Sequence, residues 1–142
     1  IVSANFCPEF CQPDYAFFTN SKRFEKLDLA ALPCPVVLTS NLRPLPQGAL
    51  AVNYDRLAAP DVQNASLGSN SVLMRLRLLR LCGAKAVLLA GADGYKPGTP
   101  AYADSLLHAH TGRGAAFNTA MAGAIKACRL DVTFITPSEY AK

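Results

Sequence analysis

The chain has 142 residues, 51% hydrophobic and 17% charged, a size and balance that suit one folded domain and exclude a disordered tail. The formal net charge of +4 is mild, and only Arg75, Arg77 and Arg80 cluster, in one predicted helix, so the dense basic stripe of a nucleic-acid binder is missing. No run approaches the roughly 18 apolar residues of a membrane span and no basic-then-apolar leader is present, so the expected setting is soluble and cytoplasmic, with neither nucleic acid nor membrane as partner.

Five cysteines, Cys7, Cys11, Cys34, Cys82 and Cys128, are an odd count without the framework of a small secreted domain, and read as free thiols in a reducing compartment. Cys82 and Cys128 end apolar helical stretches and are expected to be small core residues. The Cys7-to-Cys11 spacing is one residue longer than the redox C-x-x-C and lacks a second pair for zinc. The chain opens at Ile1 in what already reads as a strand, and it is expected to be a piece of a longer protein.

In chain order, residues 1–6 predict a strand and 7–13 a loop. Residues 14–18 (DYAFF) predict a second, buried strand. Asn20 or Ser21 can cap a helix over 22–27. Residues 36–40 predict a β-branched third strand, and the prolines and glycine of 42–48 exclude a helix. Residues 49–54 (ALAVNY) predict a fourth strand; the short connection leaves it either antiparallel to the third or joined by an irregular crossover. Residues 58–68 read as loop. Residues 69–81 predict a largely buried helix with Gly83 as its left-handed terminator, and 85–90 (KAVLLA) a parallel strand covered on both faces. A long Gly/Pro-bearing loop over 94–114 leads to a helix of small residues over 115–128 and a last strand over 132–136. Strands alternating with helices predict an α/β class, a Rossmann-like three-layer sandwich with a mostly parallel sheet of about five or six strands in one domain over residues 1–142.

Such sheets bind ligands at the carboxyl ends of their strands, where two segments stand out. Ser69-Asn70-Ser71 opens the helix over 69–81, either as a plain N-cap or as an anion site at the helix start. Gly91-Ala92-Asp93-Gly94-Tyr95 follows a buried strand; Asp93 there can accept from a sugar hydroxyl or simply turn the chain, and Gly91 and Gly94 let a ligand approach the backbone. Asn5, Asn20, Asn41 and Asn53 fall at strand ends, as turn formers or as the lining of one polar crevice. His108 and His110 lack the further ligands a metal needs, even with Asp93 or Asp104 approaching, so no metal site is expected. Arg113, between glycines, is the better candidate for an anion. No catalytic constellation is complete.

The segments Asn5-Phe6, Asp14 to Asn20 with Lys22-Arg23-Phe24, Thr39-Ser40-Asn41, Ala90 to Tyr95, and Phe134 to Ser138 with Tyr140 resemble the C-terminal extension of certain bacterial 4-hydroxy-2-oxovalerate aldolase-like proteins. That domain is more distantly similar to 6-hydroxymethylpterin diphosphokinase-like and bacterial sialyltransferase domains, in which a serine segment opens a helix and a later strand ends in Gly-x-Asp. Ser69-Asn70-Ser71 and Gly91-Ala92-Asp93 correspond; the glycine that follows the serine there is replaced here. The resemblance implies an accessory domain of a carbon–carbon lyase that binds an anionic or nucleotide-like ligand. The divalent metal would belong only to an upstream aldolase barrel of roughly 250 residues, and this piece would need no cofactor. It leaves open a transferase acting on a nucleotide-activated sugar or pterin, with Asp93, His108 or His110 as base. It also leaves open a non-catalytic assembly domain, forming a homo-oligomer or docking on the barrel.

Overall fold

A computed structural model describes residues 1–4, 11–25, 28, 31–58, 65–96 and 114–142. These described residues are mixed α/β, with six strands among them in two sheets: β1 (Val2–Ala4), β2 (Tyr15–Phe18), β3 (Val36–Thr39) and β4 (Leu50–Val52) in the order β1-β2-β3-β4, and β5 (Ala86–Leu89) beside β6 (Asp131–Phe134). Every described pairing is parallel. The helices are α1 (Ser21–Phe24), α2 (Tyr54–Leu57), α3 (Ala65–Gly68), α4 (Ser71–Leu81) and α5 (Ala115–Ala127). The chain divides into two compact units, Ile1–Leu78 and Leu79–Lys142.

In the first unit the alternation of β2 and β3 drives apolar side chains to both faces of the sheet, as a parallel sheet requires. One face buries Ala16, Phe18, Val36 and Leu38 against Phe24 of α1 and Leu42. The other buries Phe17 and Val37 against Leu57 of α2 and Met74 of α4. Phe17, Phe18 and Leu38 are wholly buried. Arg75 donates to the Val2 carbonyl at 3.1 Å, and burial pulls its guanidinium pKa below the ordinary value. Arg77 donates to the carbonyls of Leu57 (2.5 Å) and Gly68 (3.2 Å), which ties the segment before α4 to the helix. The clustered arginines predicted on one helix are therefore partly fasteners of the fold.

Several boundaries differ from the sequence reading, each for a local reason. The fourth strand stops at Val52, because Asn53 accepts from the Arg56 amide and starts α2. It is parallel to β3 through an irregular crossover in which Leu42 and Ala49 pack on the sheet. The stretch read as loop over 58–68 contains the short α3. Helix α4 begins at Ser71, because Asn70 takes the cap and Ser69 stays outside.

In the second unit Gly83, at φ +90°, ends α4 as expected: its amide reaches the Arg80 carbonyl and that of Ala84 the Leu79 carbonyl, the paired bonds of a Schellman motif. Cys82, expected in the core, is exposed, because the chain turns away from the helix there; Cys128 is buried. Strand β5 is parallel but not covered on both faces as its apolar run predicted, since Leu88 is 70% exposed. On α5 the buried Phe117, Met121 and Ile125 recur every fourth residue, one stripe of a helix face, and Arg80 holds its end by donating to the carbonyls of Cys128 and Arg129.

Candidate functional site

The register of the first sheet aligns its carboxyl ends. Phe18 stands beside Leu38 and Leu38 beside Ala51, so two residues further along Asn20, Ser40 and Asn53 occupy one row across three strand ends. Their contacts knit the row together. The Ser40 hydroxyl accepts from the Tyr54 amide at 2.9 Å. The Asn41 side chain donates to the Thr19 carbonyl at 3.4 Å, and the Thr39 hydroxyl to that of Phe18 at 3.3 Å. Asn20 accepts from the Arg23 amide at 3.3 Å and Asn53 from that of Arg56 at 3.1 Å. Asn20, Ser40, Asn41 and Asn53 are all exposed. Asn20 and Asn53 therefore start turns of helix and Asn41 bridges two strand ends, all three exposed at the carboxyl ends of the sheet.

At the start of α4 the Asn70 side chain accepts from the amides of Val72 (2.9 Å) and Leu73 (3.4 Å). The first-turn N–H groups that an anion would use are thus largely taken by the cap. Ser69 is exposed and Ser71 half-buried.

In the second unit Gly91 to Tyr95 leaves β5 and is clasped by the segment after β6. The Gly91 amide donates to the Thr136 hydroxyl at 2.9 Å, the Ser138 hydroxyl to the Ala92 carbonyl at 2.5 Å, and the Glu139 amide to the Asp93 carbonyl at 2.8 Å. Gly91 and Gly94 have φ of +66° and +82°, and a Cβ on Gly94 would lie 2.7 Å from that of Glu139. Gly94 thus serves the chain's own close approach, whereas at Gly91 an added Cβ would meet nothing within 4 Å and only the positive φ favours glycine. The Asp93 carboxylate is exposed and makes no hydrogen bond among the described residues.

Two residues of this clasp escaped the sequence reading. Asn118, buried on α5, accepts from the Tyr95 amide at 3.0 Å and donates to the Tyr95 carbonyl at 2.8 Å. Its signal was an amide beside the apolar stripe of a helix, where asparagine is a poor helix former. The other, Glu139, pairs with Lys142 at 2.5 Å.

Asn5, Arg113, His108, His110 and Asp104 lie outside the described residues, and among the described residues no group of His, Cys, Asp and Glu could hold a metal. No helix among them is long and apolar enough to cross a membrane. A shallow groove of about 230 Å³ between α5 and β6, floored by Ile125, Val132 and Phe134, contains none of the sequence-predicted residues. Comparison with protein-family models, characterised proteins and solved structures finds no match to the chain.

Proposed function

We propose that this chain is a Rossmann-like accessory domain of a bacterial 4-hydroxy-2-oxovalerate aldolase-like lyase, and that it binds a small anionic or nucleotide-like ligand at the carboxyl ends of its parallel strands. The observation that carries the binding reading is the row of exposed amide and hydroxyl side chains at the ends of β2, β3 and β4. Carboxyl strand ends are where open α/β sheets bind ligands, and pre-fixed polar groups lose little freedom on binding. The parent assignment is supported by the motifs that resemble that family. Two of them, 90–95 and 134–140, lie far apart in sequence and are hydrogen-bonded to each other.

A thermal-shift screen of the 142-residue chain with CMP, CTP, ATP, pterins and sugar phosphates tests the binding reading. A hundredfold excess over the dissociation constant stabilises by about 2.7 kcal/mol, a rise in Tm of roughly 5–10 °C. No shift with any anion would rule the reading out.

A further inference from the structure

The connections leaving the first sheet diverge. After β2 the chain sends Phe24 of α1 to one face, and after β3 it sends Leu42 and then Ala49 to that same face. After β4 it sends Tyr54 and Leu57 of α2 to the opposite face. At the carboxyl ends of β3 and β4 neighbouring connections therefore part to opposite faces, the arrangement at which open α/β sheets offer a ligand crevice. The walls of such a crevice are the exposed residues that follow the strands, Ser40, Asn41 and Arg43 after β3 and Asn53 and Arg56 after β4, with Asn20 after β2.

The hydrogen-bonding capacity left in those walls is one-sided. Asn20 and Asn53 spend their carbonyl oxygens on the Arg23 and Arg56 amides, so each presents an NH₂ group. The Ser40 oxygen accepts from Tyr54 and leaves its O–H to donate. Arg43 folds back so that Nη1 donates to the carbonyls of Ser40 at 2.9 Å and Leu42 at 2.6 Å. That pins the exposed guanidinium at the end of β3 and leaves its Nε and Nη2 donors uncommitted among the described residues. Among the described residues neither Arg43 nor Arg56 has a carboxylate partner. Against these donors stand two side-chain acceptors among the described residues, the Asn41 oxygen, whose amide nitrogen donates to Thr19, and the exposed Asp55 carboxylate. Asp55 is the one acidic residue in the α2 turn. The amides of Arg23 and Arg56 are taken by Asn20 and Asn53 and that of Tyr54 by Ser40, so they are not among the donors counted.

We infer that this crevice binds a phosphate monoester carried on a hydroxylated carbon skeleton, with Arg43 holding the phosphate. The inference rests on the binding reading above and names its ligand class. Adjacent strands lie about 4.8 Å apart, so the donors of three strand ends spread over roughly 10 Å. A carboxylate with two oxygens cannot engage such a row, whereas a phosphate and its neighbouring hydroxyls can. The guanidinium matches phosphate geometry with two parallel bonds, and the Asn41 oxygen, whose amide nitrogen donates to Thr19, can accept from a ligand hydroxyl.

Ligand-detected NMR titrations of the full chain with ribose 5-phosphate, inorganic phosphate and ribose test this. Ribose 5-phosphate is expected to bind most tightly, phosphate more weakly, and ribose not measurably. Arg43→Ala is expected to weaken ribose 5-phosphate about tenfold, and Arg43→Lys to restore part of the loss. Asn53→Asp keeps the oxygen that caps α2 while adding a negative charge, so it is expected to leave the fold intact and abolish phosphate binding. If ribose 5-phosphate binds but Arg43→Ala and Asn53→Asp both stay within twofold of wild type, the crevice assignment is wrong while the broader binding reading survives. If neither phosphate compound binds, this inference is wrong, and the broader binding reading stands or falls with the thermal-shift screen of nucleotides, pterins and sugar phosphates.

Discussion

At the scale of single residues, the side chains that matter most are those that hold backbone. Asn118 pairs with both backbone polar groups of Tyr95 while itself buried, and Asn118→Ala would remove both bonds. The expected destabilisation is about 2–3 kcal/mol, read from urea unfolding. Gly94 and Gly48 both have positive φ, +82° and +80°, but an added Cβ meets nothing within 4 Å at Gly48 and meets Glu139 at 2.7 Å at Gly94. Gly48→Ala is therefore expected to cost about 1 kcal/mol from backbone conformation alone. Gly94→Ala should cost clearly more and loosen the clasp around Asp93, and equal losses at the two positions would contradict the packing explanation. The sequence revealed Gly94 as a turn residue. It could not reveal that the turn's partner is the segment around Ser138, because that contact joins residues more than forty positions apart.

At the scale of elements, caps decide more than periodicity does. Asn20, Asn53 and Asn70 each start a helix by accepting from an amide two or three residues on. Asn70→Ala is expected to lower stability by about 1 kcal/mol, and Asn70→Asp to be nearly neutral. The long apolar segments that became β2, β3, α4 and α5 were legible within a residue or two, because their burial pattern and punctuation agree. The edges were not. The fourth strand loses its end to α2 because Asn53 is a better cap than a strand residue, a competition that composition does not display. Strand β5 was read as doubly covered from its unbroken apolar run, yet Leu88 is 70% exposed; a run of leucines states what would favour burial, not what lies against it.

At the scale of the molecule, parallel pairing makes the carboxyl end of the first sheet a single polar edge. Burial on both faces makes that edge stiff. Leu38 is wholly buried directly beneath the row of Asn20, Ser40 and Asn53, and Leu38→Ala is expected to destabilise by about 2–5 kcal/mol and to weaken ligand binding in parallel. The asparagines of this edge could be picked out from sequence as residues at strand ends. Ser40 and Arg43 could not, because their part depends on which face each connection takes, and that follows from packing. The most direct test of a ligand at this edge is chemical-shift mapping of the full chain on titration with ribose 5-phosphate. The expected result is perturbation concentrated at the side-chain amides of Asn20 and Asn53 and the backbone amides of Ser40 and Asn41. Perturbation confined to the Gly91–Tyr95 turn, or none at all, would contradict it.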